Sequence, residues 1–227
     1  MIHFMERRIP VTINMTLGIV FVVLNFFCLF AVPVLVQQSL WWFLLLVPLV
    51  LTTNTMWSLI HEGIHNMLHP NRTMNDIMSR LLSLSFGIEF YIARYGHLMH
   101  HRYNRMDVDV PEGYSPKKTS KLVASIGYYI NLCTGLYLTE IVVPVLFLLP
   151  TPAVLYLANK IIGEGSPRIA SAYNTILKPA NMLKIRVGAV VMVAVWVAAF
   201  YLYGGYWWVL LGVSLVRGFM ISFADNL

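Results

Sequence analysis

Long apolar runs alternate with short polar breaks along most of this sequence. Residues 11–36 (VTINMTLGIVFVVLNFFCLFAVPVLV) carry no charge and exceed the roughly 20 residues that cross a bilayer. The polar turn 37–40 leads into a second run, 41–60, which opens on Trp41 and Trp42, where interfacial aromatics belong. Two more runs, 187–203 and 206–223, are separated only by Gly204 and Gly205 and read as a hairpin of spans. This pattern predicts an all-α protein with about four transmembrane helices. Residues 1–227 read as a single membrane-embedded domain without internal repeats.

The stretches between the runs are less regular. Pro70 predicts that the second helix ends near His69, because a residue preceding proline avoids helical geometry. Residues 76–95 (DIMSRLLSLSFGIEFYIARY) mix apolar and charged positions and predict one helix lying at the interface. The segment NRMDVDVPEGYSPKK reads as loop, from its Pro and Gly. Residues 122–158 are apolar but interrupted by Glu140, Pro144, Pro150 and Pro152. Two short spans, a re-entrant hairpin and flat-lying helices all fit them. Residues 159–186 are polar and basic.

Composition strengthens the membrane reading: 58% of residues are hydrophobic and 11% charged, against roughly 25% charged in ordinary globular proteins. The net charge of +6 is scattered between apolar runs, with none of the arms or stripes that bind nucleic acid. Its distribution points to orientation instead. Turns 37–40 and 204–205 contain no Lys or Arg, and all 16 basic residues fall on or near the other side. By the positive-inside rule both termini and the intervening 61–121 loop face the cytoplasm, leaving the Asn71-Arg-Thr73 sequon unused. Arg7 and Arg8 precede a run too long for a cleaved signal peptide, so that run is read as a retained span. Cys28 and Cys133 sit far apart in apolar stretches and imply no disulfide framework.

The chemistry lies in the histidines. Six of the seven fall between His61 and Asp109, in HEGIH (His61–His65) and HLMHH (His97–His101) with His69 between. On a helix His61 and His65 are one turn apart and share a face, as do His97, His100 and His101. Imidazole is the commonest protein ligand for metals, and five imidazoles in two sets suggest more than one ion. HEGIH also fits HExxH, in which two His hold zinc and the Glu is a general base. An intramembrane zinc metalloprotease is thus a rival reading. It needs a further ligand, for which Asp107, Asp109 and Asp225 are candidates, and it leaves HLMHH unexplained.

HEGIHNMLHP followed by RYGHLMHHRYNRMDVD closely resembles the first two histidine boxes of membrane fatty acid desaturases and their hydroxylase and ketolase relatives. The resemblance extends to the span pattern. It implies an oxidoreductase that introduces a double bond into a lipid acyl chain at the cytoplasmic face, using two non-haem irons and dioxygen. It implies His61, His65, His97, His100 and His101 as iron ligands, and a separate electron donor of the ferredoxin or cytochrome b5 type. Asn104, Asp107 and Asp109 are close enough in sequence to support the second ring nitrogens of such ligands.

The family has a third box, HxxHH, after its last pair of spans, whereas no histidine follows His101 here. The expectation is a chain cut short before that box, lacking ligands needed for both irons. On that reading RGFMISFADNL matches the segment leading into the box, and Asn226 corresponds to an asparagine that reaches one iron through water. A metal-binding or scaffold remnant without activity is the non-enzymatic reading. His69 and His3 read as a helix-end and a headgroup-level residue. Arg217, costly at mid-bilayer, is expected to snorkel to the cytoplasmic face or to line a polar cavity near the metals.

Overall fold

A computed structural model describes residues 9–104 and 119–226, the last two of these by their backbone alone. Every regular element among the described residues is helical. The first apolar run forms α1 (Val11–Phe30) and the short α2 (Val32–Leu35), together a candidate span of 25 residues. At its start the Asn14 amide donates to the carbonyl of Leu68, 3.2 Å away. At its end Cys28, Val32 and Val36 pack on Leu46 and Leu49.

The second run is broken rather than continuous. A 3-10 turn over Leu40–Leu45 leads to α3 (Leu46–Leu51) and α4 (Thr53–Ile64), which together form a candidate span bent by 47°. The cause is local. Pro48 has no N–H to continue the ladder, and the Thr52 hydroxyl donates to the Pro48 carbonyl at 2.8 Å, a bond that bends helices. Helix α4 also stops well short of His69, because Asn66 turns left-handed at φ 60°. Asparagine is one of the few side-chain-bearing residues that enters this region readily.

The stretch predicted as one interfacial helix is two, α5 (Arg72–Phe86) and α6 (Phe90–Tyr103). Gly87, at φ 80°, supplies the left-handed residue that closes α5, and the Ile88 N–H returns to the Ser83 carbonyl at 3.0 Å. Asn71 caps the start of α5 and Glu89 the start of α6, each accepting from an orphan backbone N–H. Helix α5 buries polar and apolar side chains together. Its inner face carries Asn75, Ser79 and Ser83, all fully buried, beside Met78, Leu82 and Phe86, while Met74, Ile77 and Leu81 are exposed with Arg72 and Arg80. Serine on that face lets α4 come close: a Cβ on Gly63 would stand 2.0 Å from Ser79 Oγ.

Past residue 118 the chain runs through α7 (Lys121–Ile130), a π-helical stretch (Asn131–Gly135) and α8 (Leu136–Leu146), a pair bent by 82°. The polar, basic stretch is largely helical, through α9 (Thr151–Ile162), α10 (Pro167–Asn174) and the start of α11 (Pro179–Tyr203). Helix α12 (Trp207–Asn226) follows a 3-10 turn. Pro179–Ala224 is one apolar helical stretch of 46 residues, about twice what a bilayer takes, and it folds back at Gly204 (φ 52°). Trp196, before the turn, donates to the Leu84 carbonyl. Gly218, after it, lies against the Tyr137 ring, whose hydroxyl donates to the Phe86 carbonyl. Both arms thus reach the same end of α5, as the Gly204–Gly205 hairpin predicts. Two stretches are long and apolar enough to cross a membrane, or up to four if each bent pair is one span.

Arg217 does not snorkel. It is 3% exposed, donates to Thr53 Oγ1 at 3.2 Å, and stacks its guanidinium 3.9 Å from the Phe86 ring centroid. An aromatic face attracts a desolvated cation, so the charge is held inside the helices.

Candidate metal centre

The two histidine boxes come from helices that the Gly87 reversal brings side by side. HEGIH occupies the last turn of α4, with His65 as its capping residue. HLMHH lies inside the last two turns of α6 rather than beyond its end. His61, His65, His97 and His101 converge so that one ligand nitrogen from each lies within 4.8 Å of the others. His97 is at the centre, its Nε2 3.1 Å from His65 Nε2 and 2.8 Å from His101 Nε2. The His61 ring is 4.5 Å from His97 and 4.7 Å from His65, centroid to centroid. His100 is exposed and stands apart from the four, with its ring 6.0 Å from His101.

Burial holds His97 far below the ordinary imidazole range, down to about 3, with the crowding of His61, His101, His65 and His100 adding to it. His65 is lowered for the same first reason, then by His61 and His101. Neutral imidazole is the form with a lone pair to give a metal. The His65–His97 and His97–His101 separations match ligands of one ion, since nitrogens about 2.0–2.1 Å from a shared metal stand roughly 3 Å from their neighbours, and the four together could hold a metal.

Polar bonds seat the two helices. The Asn75 amide donates to the Gly63 carbonyl at 2.9 Å, and its oxygen accepts from the Leu68 N–H at 3.2 Å. Arg94 reaches across from α6 to Asn66 and Asp76. On the other side of α6, the Tyr95 and Tyr103 hydroxyls donate to the carbonyls of Arg168 and Pro167. At its start the Glu89 carboxylate accepts from the Ile92 N–H at 2.9 Å and fills a notch on α11, where a Cβ on Gly188 would stand 2.5 Å from Oε1. Burial pushes Glu89 up to about 7, against the opposing hydrogen bonds from Ile92 and Tyr91 and the charge of Arg80.

Of the sequence-predicted residues, four imidazoles meet and His100 does not join them. Asn104 is exposed at the end of α6, so the support at hand for the boxes comes from Asn75 and Arg94, which the sequence reading passed over. Asp107 and Asp109 lie outside the described residues, as does the side chain of Asn226. His69 accepts the Asn71 N–H through Nδ1 at 2.9 Å, a local turn contact consistent with its reading as a helix-end residue.

Compared with known protein families, residues 39–227 match the one described as fatty acid desaturase. No curated protein and no solved structure matches the chain.

Proposed function

The chain belongs to the fatty acid desaturase family, and from that premise we propose that it is a membrane oxidoreductase introducing a double bond into a lipid acyl chain. The observation that carries this reading is the convergence of four box histidines within 4.8 Å. Removing hydrogen from an alkane C–H is beyond any amino-acid side chain, so a cofactor must do it. Non-haem iron bound by His61, His65, His97 and His101 would supply that chemistry with dioxygen as co-substrate. The family resemblance implies a second iron, with His100 among its ligands.

The chain's own residues do three things in this scheme. The imidazoles offer ring nitrogens at neighbouring positions, and burial keeps His97 unprotonated. Asn75 and Arg94 fix the helices that carry them. The apolar exterior, with Ile77 and Leu81 exposed beside the site-bearing helices, suits an acyl substrate that stays in the bilayer. A lipid hydroxylase or ketolase would use the same ligand set and differ in product. A zinc protease accounts for HEGIH alone, and the placement of HLMHH against it favours the oxidoreductase.

Lys178, Lys184, Arg186, Arg72, Arg94 and Arg102 lie on the elements that form the histidine-bearing end of the bundle, and the Gly204–Gly205 turn carries no basic residue. That asymmetry supports a cytoplasmic site, within reach of a separate ferredoxin or cytochrome b5 type donor. The test is metal content per chain in detergent, with products read from the acyl chains of cells supplied with a donor. Iron lost in a His97→Ala, His101→Ala pair, together with new unsaturation in cells expressing the unaltered chain, is expected. One tight zinc, indifferent to that pair but lost in His61→Ala, would overturn the reading for the protease.

A further inference from the structure

We infer that Arg94 is a positioning residue that sets the spacing between the two histidine boxes, with Asn66 as its partner. The inference rests on the four histidines being a metal site. Arg94 lies one turn before His97 on α6, and Asn66 directly follows His65. The guanidinium spans both sides of the cleft: Nη2 donates to Asn66 Oδ1 and Nη1 to Asp76 Oδ1 at 3.1 Å. Its flat face rests 5.5 Å from the Phe90 ring centroid, so the side chain is held from its own helix as well. This bridge neighbours the His65–His97 pair, whose nitrogens are 3.1 Å apart.

The backbone is arranged to offer Asn66 for this role. Its left-handed φ of 60° ends α4 immediately after the first box, and its N–H closes the turn on the Gly63 carbonyl at 3.1 Å. The same Gly63 carbonyl receives Asn75, whose amide also reaches Asp76 Oδ1 at 3.3 Å. The carboxylate that anchors Arg94 is therefore itself tied to the residue bracing the first box. Arginine suits the position because its planar fork serves two acceptors at fixed angles, which lysine cannot do. A ligand shell is kept in place by such outer partners, whose loss weakens metal binding about 10–100-fold.

The test is Co²⁺ binding to the purified full chain in detergent, read by its visible ligand-field spectrum and by titration, beside melting of the metal-free protein. Asn66→Gly is the decisive variant, since glycine keeps the left-handed backbone and removes only the amide. We expect Asn66→Gly to weaken Co²⁺ about 10-fold and Arg94→Ala toward 100-fold. Arg94→Lys should fall between, Asn66→Gly added to Arg94→Ala should cost little more, and the spectrum should change shape in each variant. Unchanged affinity and spectrum in Asn66→Gly and Arg94→Ala would overturn the inference. So would equal losses of Co²⁺ affinity in Leu210→Ala, a packing variant remote from the boxes that should lower metal-free melting and leave Co²⁺ binding unchanged. No Co²⁺ binding by the unaltered chain would bring down the metal reading itself and this inference with it.

Discussion

The two ends of the bundle are held by different forces. At the Gly204 turn, Leu29, Ala199, Tyr203 and Leu210 form an apolar cluster, to which the Tyr203 hydroxyl adds a bond to the Cys28 carbonyl at 2.9 Å. At the histidine end Asn14, Asn66, Asn75, Asp76 and Arg94 tie α1, α4, α5 and α6 together by directed bonds. Packing is tolerant of small slides between helices, whereas a hydrogen bond weakens steeply with angle. The end that must hold four nitrogens in register is therefore the polar one. Lipid tails are as apolar as leucine, so the apolar end gains little from hiding its surface and depends on fit.

That contrast predicts which changes move metal binding and which move stability. The largest effect on metal should come from His97→Ala, which removes the nitrogen nearest two others; Co²⁺ binding should be lost while helix content by circular dichroism is kept. Leu210→Ala, at the opposite end, should lower stability by about 2–3 kcal/mol through the cavity it leaves, yet the folded protein should titrate Co²⁺ as before. A change in metal affinity there would erase the distinction between the ends.

Glu89 sharpens the comparison through pH. Its folded value is raised from 4.5 to about 7, so the folded state binds the proton more tightly than the unfolded state. The contribution to stability is full below about 4.5 and is lost as pH rises through about 7. Denaturant midpoints should fall between pH 5 and pH 8, and Glu89→Gln, which keeps an oxygen to cap α6, should flatten that fall. The smallest effect should be Tyr203→Phe, about 1 kcal/mol for one hydrogen bond, seen in melting and not in metal affinity.

The sequence makes α1 and the α11–α12 hairpin legible because hydropathy over 20 residues is a strong signal. It misses the breaks at Thr52 and Gly87, where a single residue's hydroxyl or left-handed backbone overrides an apolar run. The prediction of one helix over 76–95 fails for that reason: Gly87 looks like any small residue until its φ is known. Turn spacing identifies the four converging imidazoles, yet it places His100 with them, although the group that converges does not include it. Arg94 and Asn66 are 28 residues apart in sequence, and no periodicity marks such a pair.

Helix α5 also gives the protein's surroundings a share in its design. With Asn75, Ser79 and Ser83 turned inward beside Leu82 and Phe86, and Met74, Ile77 and Leu81 exposed, the helix that braces the first box sets apolar side chains outward. Where those side chains meet lipid tails they find a medium as apolar as leucine. Surrounding lipid then belongs among the variables that tune this centre, alongside its side chains.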